Sequence, residues 1–341
     1  MNSMADRYSR QILFPGIGRL GQERILNSRV TVVGCGALGT VGAEMLVRGG
    51  VGEVVLVDRD FVEPSNLQRQ TLFTESDADQ GIPKAIAAQK ALVAINSEID
   101  VQSRVSDLTF ENVDEICSGS NVLVDATDNF EARYLMNDYA FKNGIPWVYG
   151  ACVGSYGTAF AFQPGRTPCL QCLFRDPPAS GSADTCETAG ILAPVAHMVA
   201  SYQVAQVLKI LVGEHSNERL FQIDVWEESW REISLAGTAD SECRCCGRRE
   251  FRFLEGRESD RLIRLCGRNA IQVSPGRSTR LDFHQLSERL QPSARAAFNE
   301  YMMRIQVVGY DIALFPDGRC IIKGTDDPAR ARGVYARYIG C

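Results

Sequence analysis

The stretch RVTVVGCGALG, Arg29 to Gly39, decides the fold. Its first half, Arg29 to Val33, is short, β-branched and ended by glycine, which predicts a buried strand. The residues from Leu38 to Val47 predict a helix. Between them lies a GxGxxG loop whose glycines are Gly34, Gly36 and Gly39. Such a loop lets the backbone approach a phosphate at a helix N-terminus, and alone it fits NAD, FAD or an adenine nucleotide.

Strands and helices continue to alternate after this unit. Glu53 to Val57 and Val122 to Ala126 predict strands, and Pro83 to Ile95 and Phe130 to Lys142 predict helices. This alternation implies right-handed βαβ units and a parallel sheet. From Gly154 onwards the pattern predicts antiparallel strands. We therefore expect an α/β fold with a Rossmann-like, mostly parallel sheet and an antiparallel extension.

The 341 residues suffice for about two domains. We predict one domain over residues 1–248 and a small α+β accessory domain of unknown role over residues 249–341. Strands at Leu262 to Leu265 and Cys320 to Lys323, and a helix at Pro328 to Tyr338, are expected in the second.

Composition and charge exclude several classes of protein. With 45% hydrophobic residues the chain can bury a core, and its net charge of −6 argues against nucleic-acid binding. No signal peptide and no membrane span are expected. Twelve cysteines in a chain of this size, four of them in CxxC pairs, indicate metal binding or catalysis in a reducing, cytoplasmic setting.

A polar segment, DRDFVEPSNLQRQ, runs from Asp58 to Gln70 after the second predicted strand. Asp58 comes nineteen residues after Gly39, where an acid can bind a ribose hydroxyl. Asp128 follows the strand Val122 to Ala126, at the carboxyl edge where α/β proteins bind ligands. The segment and this acid are expected to surround one nucleotide.

The charges in this region favour adenylation over hydride transfer. Adenylation needs cations that neutralise a triphosphate and an acid that holds magnesium. Arg69, Lys84 and Asp128 supply those groups, and an NAD- or FAD-dependent oxidoreductase would leave them idle. A nucleotide-binding scaffold without catalysis is a further alternative.

Five parts of the sequence together resemble the MoeB/ThiF/HesA family of ubiquitin-activating-type adenylyltransferases: RYSRQ from Arg7, the GCGALG loop, DRDFVEPSNLQRQ, Lys84 and ATDN from Ala126. The resemblance covers roughly residues 5 to 247. It implies that the protein uses ATP to adenylylate the C-terminal glycine of a ubiquitin-like sulfur-carrier protein (MoaD/ThiS-like). The products would be carrier acyl-adenylate and pyrophosphate, ahead of thiocarboxylate formation.

The resemblance implies a role for each matching residue at the nucleotide. Asp58 binds the ribose, and Asn66, Arg69 and Lys84 contact the phosphates. Gln70 shapes the same pocket. The glycine loop holds the phosphates at the start of the first helix.

The resemblance also implies the groups that act in catalysis. Asp128 binds Mg²⁺, and Arg10 reaches into the site of the partner in a homodimer, although spacing alone would make Arg10 a surface charge. Cys186 occupies the place of a loop cysteine that forms a covalent adduct with the carrier in some relatives. A passive thiol is an equal alternative, because adenylation itself does not need Cys186.

Two cysteine pairs predict a structural zinc site. Cys169 and Cys172 form one CxxC pair, and Cys243 and Cys246 form the other. Four thiolates suit tetrahedral zinc, with no position left open for catalysis. Cys245 leaves the register of the second pair open, although the CxxC spacing favours the outer cysteines.

The partners and the pathway follow from the resemblance only in outline. The expected partners are a carrier ending in Gly-Gly and a separate sulfur donor, either a cysteine desulfurase or a rhodanese. No rhodanese-type loop is recognised in residues 249–341. The pathway stays open among molybdopterin, thiamine, tRNA thiolation and related sulfur-containing products.

Overall fold

The structure is a computed structural model that describes residues 7–178, 186, 188–256, 262–265, 269–273, 281–291 and 294–340. The chain divides into two compact units. The first comprises Met1–Pro178 and Gly190–Glu258, and the second comprises Ala179–Ala189 and Ser259–Cys341. The first unit runs past residue 248, because Phe251 and Phe253 pack into its core.

The first unit is built on one eight-stranded sheet in the order β3-β2-β1-β4-β5-β6-β7-β8. Neighbouring strands from β3 to β5 are parallel, and those from β5 to β8 are antiparallel. This confirms the predicted sheet with its antiparallel extension. The strands are β1 (Arg29–Val33), β2 (Glu53–Val57), β3 (Asp100–Arg104), β4 (Val122–Asp125), β5 (Trp147–Val153), β6 (Tyr156–Phe162), β7 (Arg219–Asp224) and β8 (Ser229–Ser234).

Helices cover both faces of this sheet. Those described in the first unit are α1 (Ser9–Ile12), α2 (Gly18–Leu26), α3 (Ala37–Gly49), α4 (Glu75–Asp79), α5 (Lys84–Ile95), α6 (Val113–Cys117), α7 (Phe130–Asn143), α8 (Leu170–Leu173) and α9 (Ala193–Leu211). Buried side chains of α2, α3, α5 and α9 form a core on one face. Side chains of α6, α7 and α8 form another core, around the fully buried Trp147. Burial of apolar area in these layers is the main stabilising contribution.

The sheet order creates a crevice between β1 and β4. The chain reaches β2 and β3 on one side of β1, and β4 and β5 on the other. The loops that follow β1 and β4 therefore separate at their carboxyl ends, which is where open α/β sheets bind ligands. β3 was not among the strands predicted above, because its sequence DVQSR carries four polar residues and only Val101 is fully buried.

The second unit is a small α+β structure, as predicted. Its sheet is antiparallel in the order β11-β12-β13-β14-β10-β9. Its elements are β9 (Leu262–Leu265), β10 (Ala270–Val273), α10 (Phe283–Leu290), β11 (Arg295–Phe298), β12 (Met303–Val307), β13 (Tyr310–Leu314), β14 (Cys320–Lys323) and α11 (Pro328–Tyr338).

Both helices of the second unit pack on its sheet through one apolar core, which includes Leu286, Ile312 and Val334. Each begins at an aspartate that caps the backbone. The Asp327 carboxylate accepts a hydrogen bond from the Ala329 N–H at 2.9 Å, and Asp282 caps α10 in the same way. Across the described parts of the chain, no helix combines the length and the apolar character needed to cross a membrane.

Candidate nucleotide site and cysteine cluster

The glycine loop joins β1 to α3, and each of its glycines has a different physical task. Gly34 has φ +99°, and a Cβ there would lie 2.4 Å from the Ala126 carbonyl oxygen. A Cβ on Gly39 would lie 1.8 Å from the Gly34 carbonyl oxygen. Gly34 therefore permits the loop to pack closely against the backbone after β4, and Gly39 permits the start of α3 to pack closely against Gly34. A Cβ on Gly36 would meet no atom within 4 Å, which leaves open space above the N-terminus of α3 for a phosphate.

Asp58 lies beside the glycine loop at the carboxyl end of β2. One carboxylate oxygen accepts the Cys35 N–H at 2.6 Å, and the other accepts the Asp60 N–H at 2.7 Å. These bonds fix the carboxylate while leaving lone pairs for ribose hydroxyls. Burial raises the pKa of Asp58 and Lys84 counteracts the rise, while Asp60 adds to it.

Lys84 is a buried cation at the start of α5, with a residual exposure of 4%. Its Nζ lies 3.2 Å from Oδ2 of Asp60. Asp60 follows Asp58 by two residues, so the ion pair attaches α5 to the loop that carries Asp58. A buried lysine with an acidic partner is a costly feature that folding alone does not require.

The turn from Pro64 to Asn66 places the next three predicted residues. Asn66 is buried, and its side-chain oxygen accepts the Glu63 N–H at 3.0 Å. Arg69 is partly exposed and donates to the Ser65 carbonyl oxygen at 2.9 Å, within its own turn. Gln70 is 4% exposed, and its Oε1 has no hydrogen-bond partner among the described residues. An orphaned buried oxygen of this kind favours a ligand at this position.

Asp128 is an exposed acid in the loop after β4, across the crevice from Asp58. A buried network holds the start of this loop. Arg133 Nε donates to Oδ2 of the fully buried Asp125 at 2.9 Å, and Arg133 also donates to the Thr127 carbonyl oxygen at 2.6 Å. Asp125 accepts the Thr127 N–H at 2.9 Å. The network therefore fixes the backbone immediately before Asp128.

Arg59 is a further cation beside this site, and the sequence analysis did not single it out. Its Nη1 donates to Oδ1 of Asp107 at 2.7 Å, and its Nε lies 3.7 Å from Asp60. Burial lowers the pKa of Arg59, but the net effect is a raised pKa because of the negative charges of Asp107, Asp60 and Asp128. The signal available in the sequence was its place between two aspartates in DRD.

The structure thus joins some of the predicted residues directly and leaves others apart. Asp58 and Lys84 meet around the glycine loop through Asp60. For Arg69, the described hydrogen bond stays within its turn. Arg10 lies exposed on α1, outside this network. The roles assigned to these residues remain predictions.

Four cysteine sulfurs converge at α8, the short helix that begins after Cys169 and contains Cys172. The Sγ atoms of Cys169, Cys172, Cys243 and Cys246 all lie within 4.8 Å of one another. The distances between Cys169 and Cys243 and between Cys172 and Cys246 are 3.5 and 3.3 Å. Tetrahedral zinc with Zn–S bonds of about 2.3 Å requires sulfur separations of about 3.8 Å, so the cluster fits that ion.

Cys245 lies outside this cluster of four sulfurs. It is fully buried, and its sulfur accepts a hydrogen bond from Asn137 Nδ2 at 3.2 Å. Asn137 Oδ1 in turn accepts the Leu170 N–H at 2.9 Å. Cys245 and Asn137 therefore support the turn that presents the first cysteine pair. Cys186, the other cysteine with a predicted role, is partly buried.

The fold and site together define a class of protein. A GxGxxG loop at a helix N-terminus, a fixed acid after β2 and a buried lysine beside it make up a nucleotide-binding α/β protein. A sequence profile described as the ThiF family matches residues 8–245. The chain belongs to the ThiF family, and the resemblance stated from the sequence is confirmed.

Similar proteins extend the comparison to nearly the whole chain. The chain is 45% identical over 338 residues to the sulfur carrier protein ThiS adenylyltransferase of Bacillus subtilis, covering 99% of this chain and 100% of that protein. It is 39% identical to a sulfur carrier protein adenylyltransferase of Thermus thermophilus, covering 71% of this chain and 90% of that protein. A crystal structure of Escherichia coli MccB matches with a TM-score of 0.62 and 25% identity, covering 72% of this chain and 75% of MccB.

Proposed function

We propose that this protein is an ATP-dependent adenylyltransferase whose substrate is the C-terminal glycine of a ubiquitin-like sulfur-carrier protein. The observation that carries the nucleotide chemistry is the buried Lys84 beside Asp60 and the glycine loop. Hydride transfer has no use for a cation there, whereas a triphosphate does. The choice of acceptor rests on the sulfur-carrier adenylyltransferases that this chain resembles.

In this proposal the nucleotide lies over the carboxyl ends of β1 and β2, beside the crevice between β1 and β4. The phosphates occupy the open space above Gly36, where the N-terminus of α3 attracts negative charge. The ribose hydroxyls bind Asp58. Asn66, Arg69 and Lys84 face the phosphates, and the unpartnered oxygen of Gln70 lies in the same pocket.

The reaction is an in-line displacement at the α-phosphorus of ATP. An oxygen of the carrier's terminal carboxylate forms a bond to that phosphorus, and the bond to the bridging oxygen of pyrophosphate breaks. The electron pair leaves with pyrophosphate, and the carrier keeps the AMP moiety as an acyl-adenylate. Arg69 and Lys84 stabilise the negative charge that develops on the phosphate oxygens.

Two metal ions accompany this proposal in different roles. Asp128 would hold Mg²⁺, which it fits as an exposed carboxylate at the crevice; bound there, the ion neutralises phosphate charge. Cys169, Cys172, Cys243 and Cys246 would hold Zn²⁺. Four protein ligands close the zinc site, so that ion stabilises the structure.

A homodimer is part of the proposal, with Arg10 of one copy entering the site of the other. α1 is tied to its own unit by Gln11, whose Nε2 donates to the Gly49 carbonyl oxygen at 2.8 Å. Arg10 itself is exposed, and three apolar residues that follow it in the sequence, Leu13, Phe14 and Leu20, are 69%, 62% and 72% exposed. Large apolar side chains that are exposed to solvent favour a protein interface.

The later sulfur-transfer step uses a separate donor, a cysteine desulfurase or a rhodanese. The adenylate activates the carrier carboxyl group, so that the terminal sulfur of a persulfide on the donor forms a bond to the carbonyl carbon while AMP leaves. A thiol then cleaves the sulfur–sulfur bond of this acyl disulfide, which releases the carrier thiocarboxylate and leaves a disulfide between that thiol and the donor cysteine. Cys186 is the candidate for a covalent intermediate in that step. The similarity to a ThiS adenylyltransferase along the whole chain favours thiamine biosynthesis over the molybdopterin pathway.

The test is ATP–pyrophosphate exchange with a purified ThiS-type carrier that ends in Gly-Gly. Exchange should require the intact carrier and should vanish when its last glycine is deleted. Asp128→Ala should abolish exchange, whereas Cys186→Ala should retain it and lose only thiocarboxylate formation. Full exchange by Asp128→Ala would remove the magnesium role, and exchange without any carrier would overturn the proposed substrate.

A further inference from the structure

A mostly buried ion pair joins the loops that follow β2 and β3, on the side of β2 away from β1. Arg59 follows β2 and Asp107 follows β3, and their side chains are only 15% and 14% exposed. The Arg59 Nη1 atom donates to Asp107 Oδ1 at 2.7 Å. None of the nucleotide contacts assigned above uses this pair.

Desolvating two charged groups is costly unless both are well paired. Here the guanidinium has a second acidic neighbour, because its Nε lies 3.7 Å from Oδ1 of Asp60. Asp60 also pairs with Lys84. Arg59 is therefore held at two of its edges, in a network that includes the loop carrying the ribose-binding acid.

The order of the strands places this pair at the base of a bound nucleotide. The phosphates belong at the loop after β1, and the ribose belongs at Asp58 after β2. β3 is the next strand, on the side of β2 away from β1. The Asp58 N–H donates a hydrogen bond of 3.1 Å to the carbonyl oxygen of Arg104, the last residue of β3. A nucleotide that runs from phosphate through ribose to base therefore reaches Arg59 and Asp107 with its base.

The planar faces of the guanidinium are suited to contact a base. Its acidic neighbours engage the edges, where the N–H groups point. Among the described residues, no aromatic ring stacks on the Arg59 guanidinium. The arginines that contact an aromatic ring there are Arg133, Arg249, Arg319 and Arg337. Arginine stacks on aromatic faces, whereas lysine has no planar group with which to do so.

We propose that the Arg59–Asp107 ion pair forms the base end of the nucleotide site, with the guanidinium stacked on the adenine ring. Asp107 and Asp60 orient the guanidinium, and Arg59 contributes to the affinity for ATP. This inference rests on the proposed function, because it takes ATP to be the bound nucleotide.

The test compares two ligands that differ only in the base. Calorimetric titration of the full chain would measure binding of ATP and of ribose 5-triphosphate, each with Mg²⁺. Arg59→Ala should weaken ATP binding about tenfold and leave ribose 5-triphosphate binding unchanged. The matched control is Arg48→Ala, which removes an exposed arginine from the last turn of α3 and should change neither affinity. Equal losses for both ligands in Arg59→Ala would overturn the inference.

A second variant separates stacking from charge and covers a failure of Arg59→Ala to fold. Arg59→Lys keeps a cation beside Asp107 but lacks the planar face. It should therefore bind ATP more weakly and bind ribose 5-triphosphate as tightly as the unmodified protein does. Wild-type affinity for ATP in Arg59→Lys would overturn the stacking role. Binding of neither ligand by the unmodified protein would overturn the proposed function as well, whereas equal losses in the variants would overturn only this inference.

Discussion

The glycine loop permits a prediction in which two similar substitutions have opposite consequences. Gly36→Ala adds a methyl group where no atom lies within 4 Å, at a residue with φ −83° and ψ −151°. These angles are open to alanine, so the free energy of unfolding should stay the same or rise by up to about 1 kcal/mol. The methyl group occupies the space assigned to a phosphate, so affinity for ATP should fall at least about tenfold.

Gly39→Ala should instead destabilise the fold. Its Cβ would lie 1.8 Å from the Gly34 carbonyl oxygen, and a Cβ contact below 3.0 Å forces one of the two groups to move. Both groups are backbone in a packed layer, so α3 and the end of β1 must separate by more than an ångström. Overpacking of this kind lowers the free energy of unfolding by about 1–3 kcal/mol. Because the clash is with backbone, we expect a loss at or above the upper end of that range.

Chemical denaturation followed by circular dichroism would measure the free energy of unfolding, and calorimetry would measure ATP binding. Gly42→Ala is the matched control on the same helix, because its Cβ would meet only Val204 Cγ2 at 3.9 Å. Gly42→Ala should lower neither the free energy of unfolding nor the affinity for ATP. Gly36→Ala with normal ATP affinity would refute the phosphate position, and Gly39→Ala with normal stability would refute the packing argument.

Three further predictions follow from the buried polar groups. Cys246→Ala should purify with much less than one equivalent of zinc, whereas Cys245→Ala should retain one; equal zinc contents by atomic absorption would contradict the cluster described here. Arg133→Gln leaves a fully buried carboxylate unpaired and should lower the free energy of unfolding by about 3–5 kcal/mol, whereas Arg48→Gln on an exposed helix face should change it little. Lys84→Met should abolish carrier-dependent pyrophosphate exchange while the protein stays folded by circular dichroism; retained exchange would show that the buried cation is not needed.

Most of the parallel sheet could be predicted because local patterns mark its parts. Runs of β-branched residues such as Arg29 to Val33 form strands, and the glycines that follow them permit only a tight turn into α3. β3 escaped prediction, because a strand with mostly polar side chains has no such run and forms by pairing with β2. In the second unit, Ala270–Val273 and Arg295–Phe298 are likewise defined by their neighbours in the sheet.

The candidate site divides in the same way. Asp58, Lys84 and Asp128 follow strands or begin a helix, so their places at the sheet edge could be inferred from their positions in the sequence. The partner of Lys84 could not, because Asp60 meets it only when the loop after β2 folds against α5. The role of Arg69 is predicted from its motif alone, because the hydrogen bond that the structure describes for it is to Ser65, within the same turn.

The sequence by itself determined the glycine loop, the βαβ order and the types of residue available for binding a nucleotide and a metal. These are local properties, set by backbone conformation and by spacing along the chain. Tertiary structure decided which groups pair: Arg59 with Asp107, Arg133 with Asp125, and Cys245 with Asn137. Pairing between distant residues depends on where separate strands and helices pack, and the energy of a buried charge or thiol depends on that packing.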